Sequence, residues 1–267
     1  MNDGKIALIA YINHTSPHMT KKILLFICCL FYVATFSQTL IPDANFEQFL
    51  VDEGIDTNGI SGDILNVDAA AVTNLNVTRN DITDFTGLEA FVNLVSLNAG
   101  TNEFPGLPLN ALTTLEVLEF GVNQSLASLN LSQNLALRVL DIRSGGFPGP
   151  PITTLDLSNN TNLEKLSAIT FANITTLVFP VTTSLVDIDI ANMSVPNVDL
   201  SLLEGDLDFR IIGSGVDVII TYPNKRDALK RLELSCIDFP NVDVSEMIGL
   251  ESFRLSSTFT ENVLLPT

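Results

Sequence analysis

The sequence predicts a mainly β solenoid of about nine coils, each of roughly 21–26 residues, opened by a short N-terminal helical cap. Three observations predict it. The pattern apolar-x-x-apolar-x-apolar-x-x-Asn occurs at Val72, Leu75, Val77 and Asn80, and again one period later at Leu94, Leu97, Ala99 and Asn102. The apolar part recurs from Leu115, Leu137, Leu163, Leu185, Leu207, Leu229 and Leu250, at a nearly constant interval with one longer step between Leu137 and Leu163. A second apolar triplet follows about half a repeat later, as in Leu126-Leu129-Leu131, Ile152-Leu155-Leu157, Ile174-Leu177-Phe179, Val195-Val198-Leu200 and Phe239-Val242-Val244. A fixed period of roughly 20–50 residues means units that bury their apolar faces only by stacking on their neighbours. The abundance of β-branched residues and the lack of room for an ordinary helix make the walls β.

Residues 1–38 read as a signal peptide. Lys21 and Lys22 precede a short apolar run from Ile23 to Phe36, and Ser37 offers a cleavage point. The run is short of the roughly 20 residues a membrane span needs, and Met19 is a second candidate start. The chain is therefore expected to be exported, with no membrane span in its mature form. His14 and His18 are the only histidines, and Cys28 and Cys29 lie in the apolar run, so the remainder has no histidine and Cys236 as its single cysteine. No internal disulfide can form there. The whole chain carries a formal charge of −18. That balance lacks the basic patch that phosphate backbones require, which argues against a nucleic-acid partner.

Residues 39–71 are expected to cap the first coil. Asp43 is placed to N-cap a helix over Ala44–Glu53, with Phe46, Phe49 and Leu50 on one face and Gly54 as the stop. Asp56-Thr57-Asn58-Gly59 resembles the opening of a calcium loop, but the twelfth position is Val67 where such a loop carries Glu. The segment is read as an Asx turn with Gly59 at positive φ, and no metal or cofactor is expected. The solenoid then occupies 72–267. In the coil at Leu207, Arg210 falls on an apolar position, and a one-residue slip that turns Phe209 and Ile211 inward repairs the pattern. Asn130-Leu131-Ser132, Asp156-Leu157-Ser158, Asp199-Leu200-Ser201 and Asp243-Val244-Ser245 end the second triplets with residues whose side chains bond nearby backbone. The turn asparagine present at Asn80, Asn102 and Asn123 is absent later, so those coils should be looser or bonded differently. The end at Val263-Leu264-Leu265-Pro266-Thr267 falls halfway through a coil, and a continuation or a capping partner is expected there.

With these residues in view, the sequence resembles the leucine-rich repeat proteins. VTNLNVTRNDITDFTGLEAFVNL is similar to the internalin type, with Asn80, Ile82, Phe85, Leu88, Phe91 and Leu94 on that family's positions. The cap IPDANFEQFLVDEGID resembles exported leucine-rich repeat proteins of Bacteroidetes-type bacteria. The resemblance covers about residues 40–267 and implies a right-handed solenoid whose concave sheet binds a partner.

Function is read from what remains. Without histidine, Ser-His-Asp and Cys-His chemistry and His-built zinc sites are ruled out. The residue between the last two apolar positions of each repeat points out of the sheet, so Glu119 and Asp141 should stand side by side. The candidate ligand-binding residues on this concave face are Glu116, Glu119, Arg138, Asp141, Arg143, Lys165, Asp187 and Asp189. The longest repeat adds a loop, Gly145 to Pro151, with Phe147 protruding. The sequence thus points to a non-catalytic cell-surface or extracellular module that binds a protein or glycan. The alternatives are a glycan-cleaving enzyme on a parallel β-helix, using a carboxylate pair such as Glu119 and Asp141, and a structural surface-layer or stalk segment.

Overall fold

The computed structural model describes residues 37–144, 146, 149–213, 218–235, 241–256, 260 and 262–267. Most of the expected signal segment, Phe147 and Cys236 lie outside them. Among the described residues no helix is long and apolar enough to cross a membrane.

The cap begins with β1 (Gln38–Leu40), pairs it antiparallel with β2 (Asp63–Leu65), and places α1 (Ala44–Asp52) between them in sequence. A further short helix, α2 (Asn66–Ala71), leads into the repeats. Asp43 caps α1 as its position predicts, accepting from the backbone N–H groups of Asn45 and Phe46 at 3.0 and 2.9 Å. Its other oxygen accepts from Thr83 N, Thr83 Oγ1 and Asp84 N at 2.9, 3.0 and 3.1 Å. One carboxylate thus fixes the helix and ties it to the first coil. Phe46 of α1 then enters an aromatic spine: Phe46 and Phe85 lie 5.3 Å apart, Phe85 and Phe104 5.1 Å, Phe104 and Phe120 5.8 Å between ring centroids. The last two contacts are edge-on, the arrangement the ring quadrupole favours.

Each predicted repeat start leads into a strand of a single nine-stranded sheet. In chain order the strands are β3 (Asn74–Asn76), β4 (Ser96–Asn98), β5 (Val117–Gly121), β6 (Val139–Arg143), β8 (Lys165–Ile169), β10 (Asp187–Ala191), β12 (Leu207–Ile212), β14 (Leu229–Ser235) and β16 (Ser252–Ser256). All neighbours are parallel and each pairs with the strand one repeat away. The fold is a leucine-rich repeat solenoid. Its core is continuous because the inward residues of successive coils stack: Leu97, Leu118, Leu140, Leu166, Ile188, Phe209 and Leu232 are all buried. The slip in the seventh strand is real. Phe209 and Ile211 point inward opposite Ile188 and Ile190, and a register shift between Leu207 and Asp208 absorbs the extra residue.

The opposite wall changes along the array. The first coils turn there with short 3-10 segments at Leu88–Ala90 and Leu109–Ala111. Later coils use short strands in parallel pairs: β7 (Thr154–Asp156) with β9 (Thr176–Val178), β11 (Asn197–Asp199) with β13 (Ile219–Thr221), and β15 (Asn241–Asp243) with β17 (Asn262–Leu264). The triplet at Leu126-Leu129-Leu131 is the exception. Leu126 and Leu131 are buried as expected, yet the segment forms no strand and bonds to the coil before it through Ala127 and Ser128 N–H to Pro105 O.

Asparagines close the turns at two corners. Buried Asn102 accepts from Asn80 N and Ile82 N and donates to the carbonyls of Val77, Ala99 and Gly100. Asn123 does the same work around Phe104. Beyond it the corner is carried by backbone bonds between coils: Ser144 N to Ile169 O, Thr170 N to Ala191 O, Asn192 N to Ile212 O and Gly213 N to Ser235 O. The early coils share such bonds, as in Thr101 N to Gly121 O and Val122 N to Arg143 O, so the later corners differ in lacking the asparagine side chain. A second pair, Asn134 and Asn160, sits fully buried at the entry to the next strand and is not marked by the repeat pattern. Asn134 donates to Leu109 O and Leu112 O, and Asn160 to Leu131 O and Asn134 O. On the far wall, the Asn/Asp-x-Ser endings all form the expected turn, with Ser132, Ser158, Ser201 and Ser245 N–H groups donating to Asn130, Asp156, Asp199 and Asp243. These Ser hydrogen bonds hold the carboxyls of Asp156, Asp199 and Asp243 below the usual range.

Candidate functional site

Strand periodicity decides what the nine-stranded sheet shows to solvent. Side chains alternate faces along each strand, and parallel in-register pairing lines equivalent positions into rows across the coils, about 4.8 Å apart. The central outward row runs Asn76, Asn98, Glu119, Asp141, Ser167, Asp189, Arg210, Glu233 and Arg254. The row two positions earlier carries Val117, Val139, Lys165, Asp187, Asp208 and Arg231 over β5 to β14. The row two positions later carries Gly121, Arg143, Ile169, Ala191, Ile212 and Ser235.

Glu119 and Asp141 are neighbours, as the spacing predicts. Two like charges side by side are unfavourable, and each is met by its own partner. Arg143 grips Asp141 with Nε and Nη2 at 2.7 and 2.8 Å, a bidentate pairing. Asn98 donates to Glu119 at 3.1 Å. The Asp141 hydrogen bonds raise the guanidinium pKa of Arg143. Gly121 keeps the neighbouring row low, leaving an open cleft of about 260 Å³ lined by Asn98, Glu119, Phe120, Gly121, Asp141 and Arg143.

Further along, ion pairs form rungs between coils. Lys165 Nζ stands 2.9 Å from Asp187, which raises the lysine pKa through that hydrogen bond. Arg210 reaches Asp189 on one side at 3.2 Å and Glu233 on the other at 3.7 Å. Arg231 reaches Asp208 at 3.1 Å. Asp187, Asp189, Asp208, Arg210, Arg231 and Glu233 frame a second cleft, of about 400 Å³, that also includes Leu232, Ser252 and Arg254. Between the two clefts the row dips at Ser167, which is buried, and beside it runs a partly apolar strip of Ile169, Ala191 and Ile212.

Of the residues named from sequence, Glu119, Asp141, Arg143, Lys165, Asp187 and Asp189 share this face. Glu116 and Arg138 do not lie in these rows. They sit one residue ahead of β5 and β6, where Arg138 bridges Glu116 at 3.5 Å and Glu164 at 2.9 Å. Both precede the first paired residues of their strands, Val117 and Val139, so the alternation of faces along the strand does not govern them. Arg210, Arg231, Asp208 and Glu233 belong to the face and were missed. The slip at Leu207 already put Arg210 outward, and that was the available signal. The basic stretch after Pro223 is also neutralised across coils: Arg226 meets Glu246 at 2.8 Å and Lys230 meets Asp206 at 3.6 Å.

No protein-family model matches the chain, and no curated protein matches it. Among solved structures it is similar to internalins of Listeria monocytogenes. With internalin C2 it shares 19% identity over 81% of this chain and 94% of that one, at a TM-score of 0.46. With the internalin InlF it shares 15% identity over 83% of this chain and 91% of that one, at 0.32. With the functional domain of InlJ, which includes a cysteine ladder, it shares 17% identity over 83% of this chain at 0.36, and it spans 62% of that domain's length.

Proposed function

We propose that this chain is an exported, non-catalytic binding module whose ligand docks on the outward face of the nine-stranded sheet between β5 and β14. The observation that carries the reading is the face itself. Acids and bases alternate in cross-coil rungs beside an apolar strip, all on a backbone whose strands are held on both sides. Such a surface is preformed, so little ordering entropy opposes docking. The mixture of both charge signs with Ile169, Ala191 and Ile212 favours a protein surface of complementary charge over a glycan. The alternative of glycan cleavage is less well supported. A carboxylate catalyst needs an oxygen free to move a proton, and both oxygens of Asp141 are held by Arg143.

The test is to probe protein and glycan arrays with the purified chain while assaying the same glycans for hydrolysis. Saturable binding that weakens as salt is raised from about 50 to about 500 mM, without turnover, is expected because charged contacts are screened. Turnover of any glycan without stoichiometric binding overturns the reading.

A further inference from the structure

A cleft larger than either of those on the sheet lies where the cap meets the first coil, apart from the face between β5 and β14. Its volume is about 570 Å³, within the roughly 300–1,000 Å³ of ordinary ligand sites. Asn45, Gln48 and Asp52 of α1 line one wall, and Asn76, Arg79 and Asn80 of the first coil line the other. The four amides are each fixed by one end. Asn45 Nδ2 donates to Asp81 O at 2.9 Å, Gln48 Nε2 to Asp52 Oδ1 at 2.8 Å and Asn80 Nδ2 to Thr78 O at 3.2 Å. Asn76 Oδ1 accepts from Thr78 N and Thr78 Oγ1 at 3.1 and 2.7 Å. A carbonyl or carboxylate oxygen can be met only by an amide nitrogen, and a backbone N–H only by an amide oxygen, so chemistry sets all four orientations. The opposite ends take part in no hydrogen bond among the described residues: oxygen on Asn45, Gln48 and Asn80, nitrogen on Asn76.

We infer that this cleft binds a neutral oligosaccharide, at a site separate from the sheet face. Sugar hydroxyls both donate and accept, and the two walls offer both kinds of partner. The amide oxygens and the carboxylates of Asp52 and Glu53 accept, while Asn76 Nδ2 and the guanidinium of Arg79 donate. Arg79 makes no ion pair among the described residues. Phe49, partly buried against the core, adds an aromatic surface for the C–H side of a sugar ring. Other ligand classes fit less well. Two carboxylates and three amide oxygens repel an anion, Arg79 opposes a polyamine, and one aromatic ring gives too little apolar area for a hydrophobic ligand. The walls are also held in place before a ligand arrives. Arg79, at φ 63°, is fixed by its N–H to Gly100 O at 3.0 Å, and buried Asn102 accepts from the N–H groups of Asn80 and Ile82 on either side of the turn. Asp43 ties α1 to the same coil through Thr83 and Asp84. Little ordering therefore opposes docking.

The test is calorimetric titration of the purified chain with short neutral oligosaccharides of glucose, mannose, galactose, xylose or N-acetylglucosamine, with spermidine and inorganic phosphate as charged probes. One saturable site is expected for at least one sugar, with a Kd of about 10⁻³ M or tighter. Its affinity should hold between about 50 and about 500 mM salt, because a neutral ligand brings no charge to screen. Gln48→Ala and Arg79→Asn change exposed residues, and asparagine tolerates the left-handed backbone at position 79. Each should melt within a few degrees of the parent and bind the sugar about fivefold more weakly. Arg210→Glu with Arg231→Glu, on the sheet face, should leave sugar affinity within about twofold, so the two sites are read separately. Absence of saturable sugar binding overturns the inference, as does a preference for spermidine or phosphate, or sugar affinity unchanged in both cleft variants.

Discussion

Phe85→Ala is expected to destabilise the protein by about 3–5 kcal/mol. Phe85 is 1% exposed and touches a ring on each side, Phe46 from the cap helix and Phe104 from the following coil. Truncation removes both aromatic contacts and leaves a cavity between elements that cannot collapse, because each neighbouring strand is pinned in register by the next. In a repeat array, stability is a sum of units and the interfaces between them. The loss should therefore show first as separation of the cap from the array. Denaturant unfolding followed by circular dichroism checks this, and Phe85→Leu should recover about half of the loss. A change below about 1 kcal/mol would mean that the spine does not couple cap and coil.

Asp43→Ala should cost about 2 kcal/mol, combining a lost N-cap of about 1 kcal/mol with the lost, partly buried hydrogen bonds from Thr83 and Asp84. This effect carries a pH signature. Burial alone would raise the Asp43 pKa, but the hydrogen bonds from Thr83, Phe46 and Asp84 outweigh it and hold the carboxyl below its ordinary value. The group therefore contributes fully above the unfolded value of about 3.9. Its contribution fades as pH falls through the lower folded value. The stability gap between the parent and Asp43→Ala should be wide at pH 7 and narrow as pH falls through the lowered folded value. A gap constant across that range contradicts the assignment.

How much of this was legible depends on which physics each feature uses. The strand starts, the helix with its Asp43 cap, and even the slip that turns Arg210 outward follow from apolar spacing, because burial acts on side-chain identity at fixed intervals. The Asn/Asp-x-Ser turns were legible for a related reason, being bonds between near neighbours in the chain. Asn134 and Asn160 were not. Their value lies in carbonyls of the preceding coil, such as Leu112 and Leu131, and nothing local marks a buried asparagine from an exposed one. The face was half legible: parity put Glu119, Asp141 and Asp189 in one row, while parity says nothing about Glu116 and Arg138 just ahead of the strands. Pairings such as Arg210 with Asp189, or Arg231 with Asp208, needed the register across coils. The cap loop was legible too: Asn58 N–H donates to Asp56 Oδ1 at 3.0 Å and Gly59 has a φ of 75°, the Asx turn that its residues predict.

The outward face as docking surface is tested most directly by reversing its charge while sparing the rest. Arg210→Glu combined with Arg231→Glu breaks the rungs to Asp189 and Asp208, whereas Arg226→Glu makes one such reversal at a turn away from the sheet. Both variants should melt within a few degrees of the parent, because exposed ion pairs contribute only about 0–1 kcal/mol. For any ligand that the array recovers, the double variant should bind at least about tenfold more weakly and the turn variant within about twofold of the parent. Equal affinity of the double variant and the parent would contradict the assignment of this face.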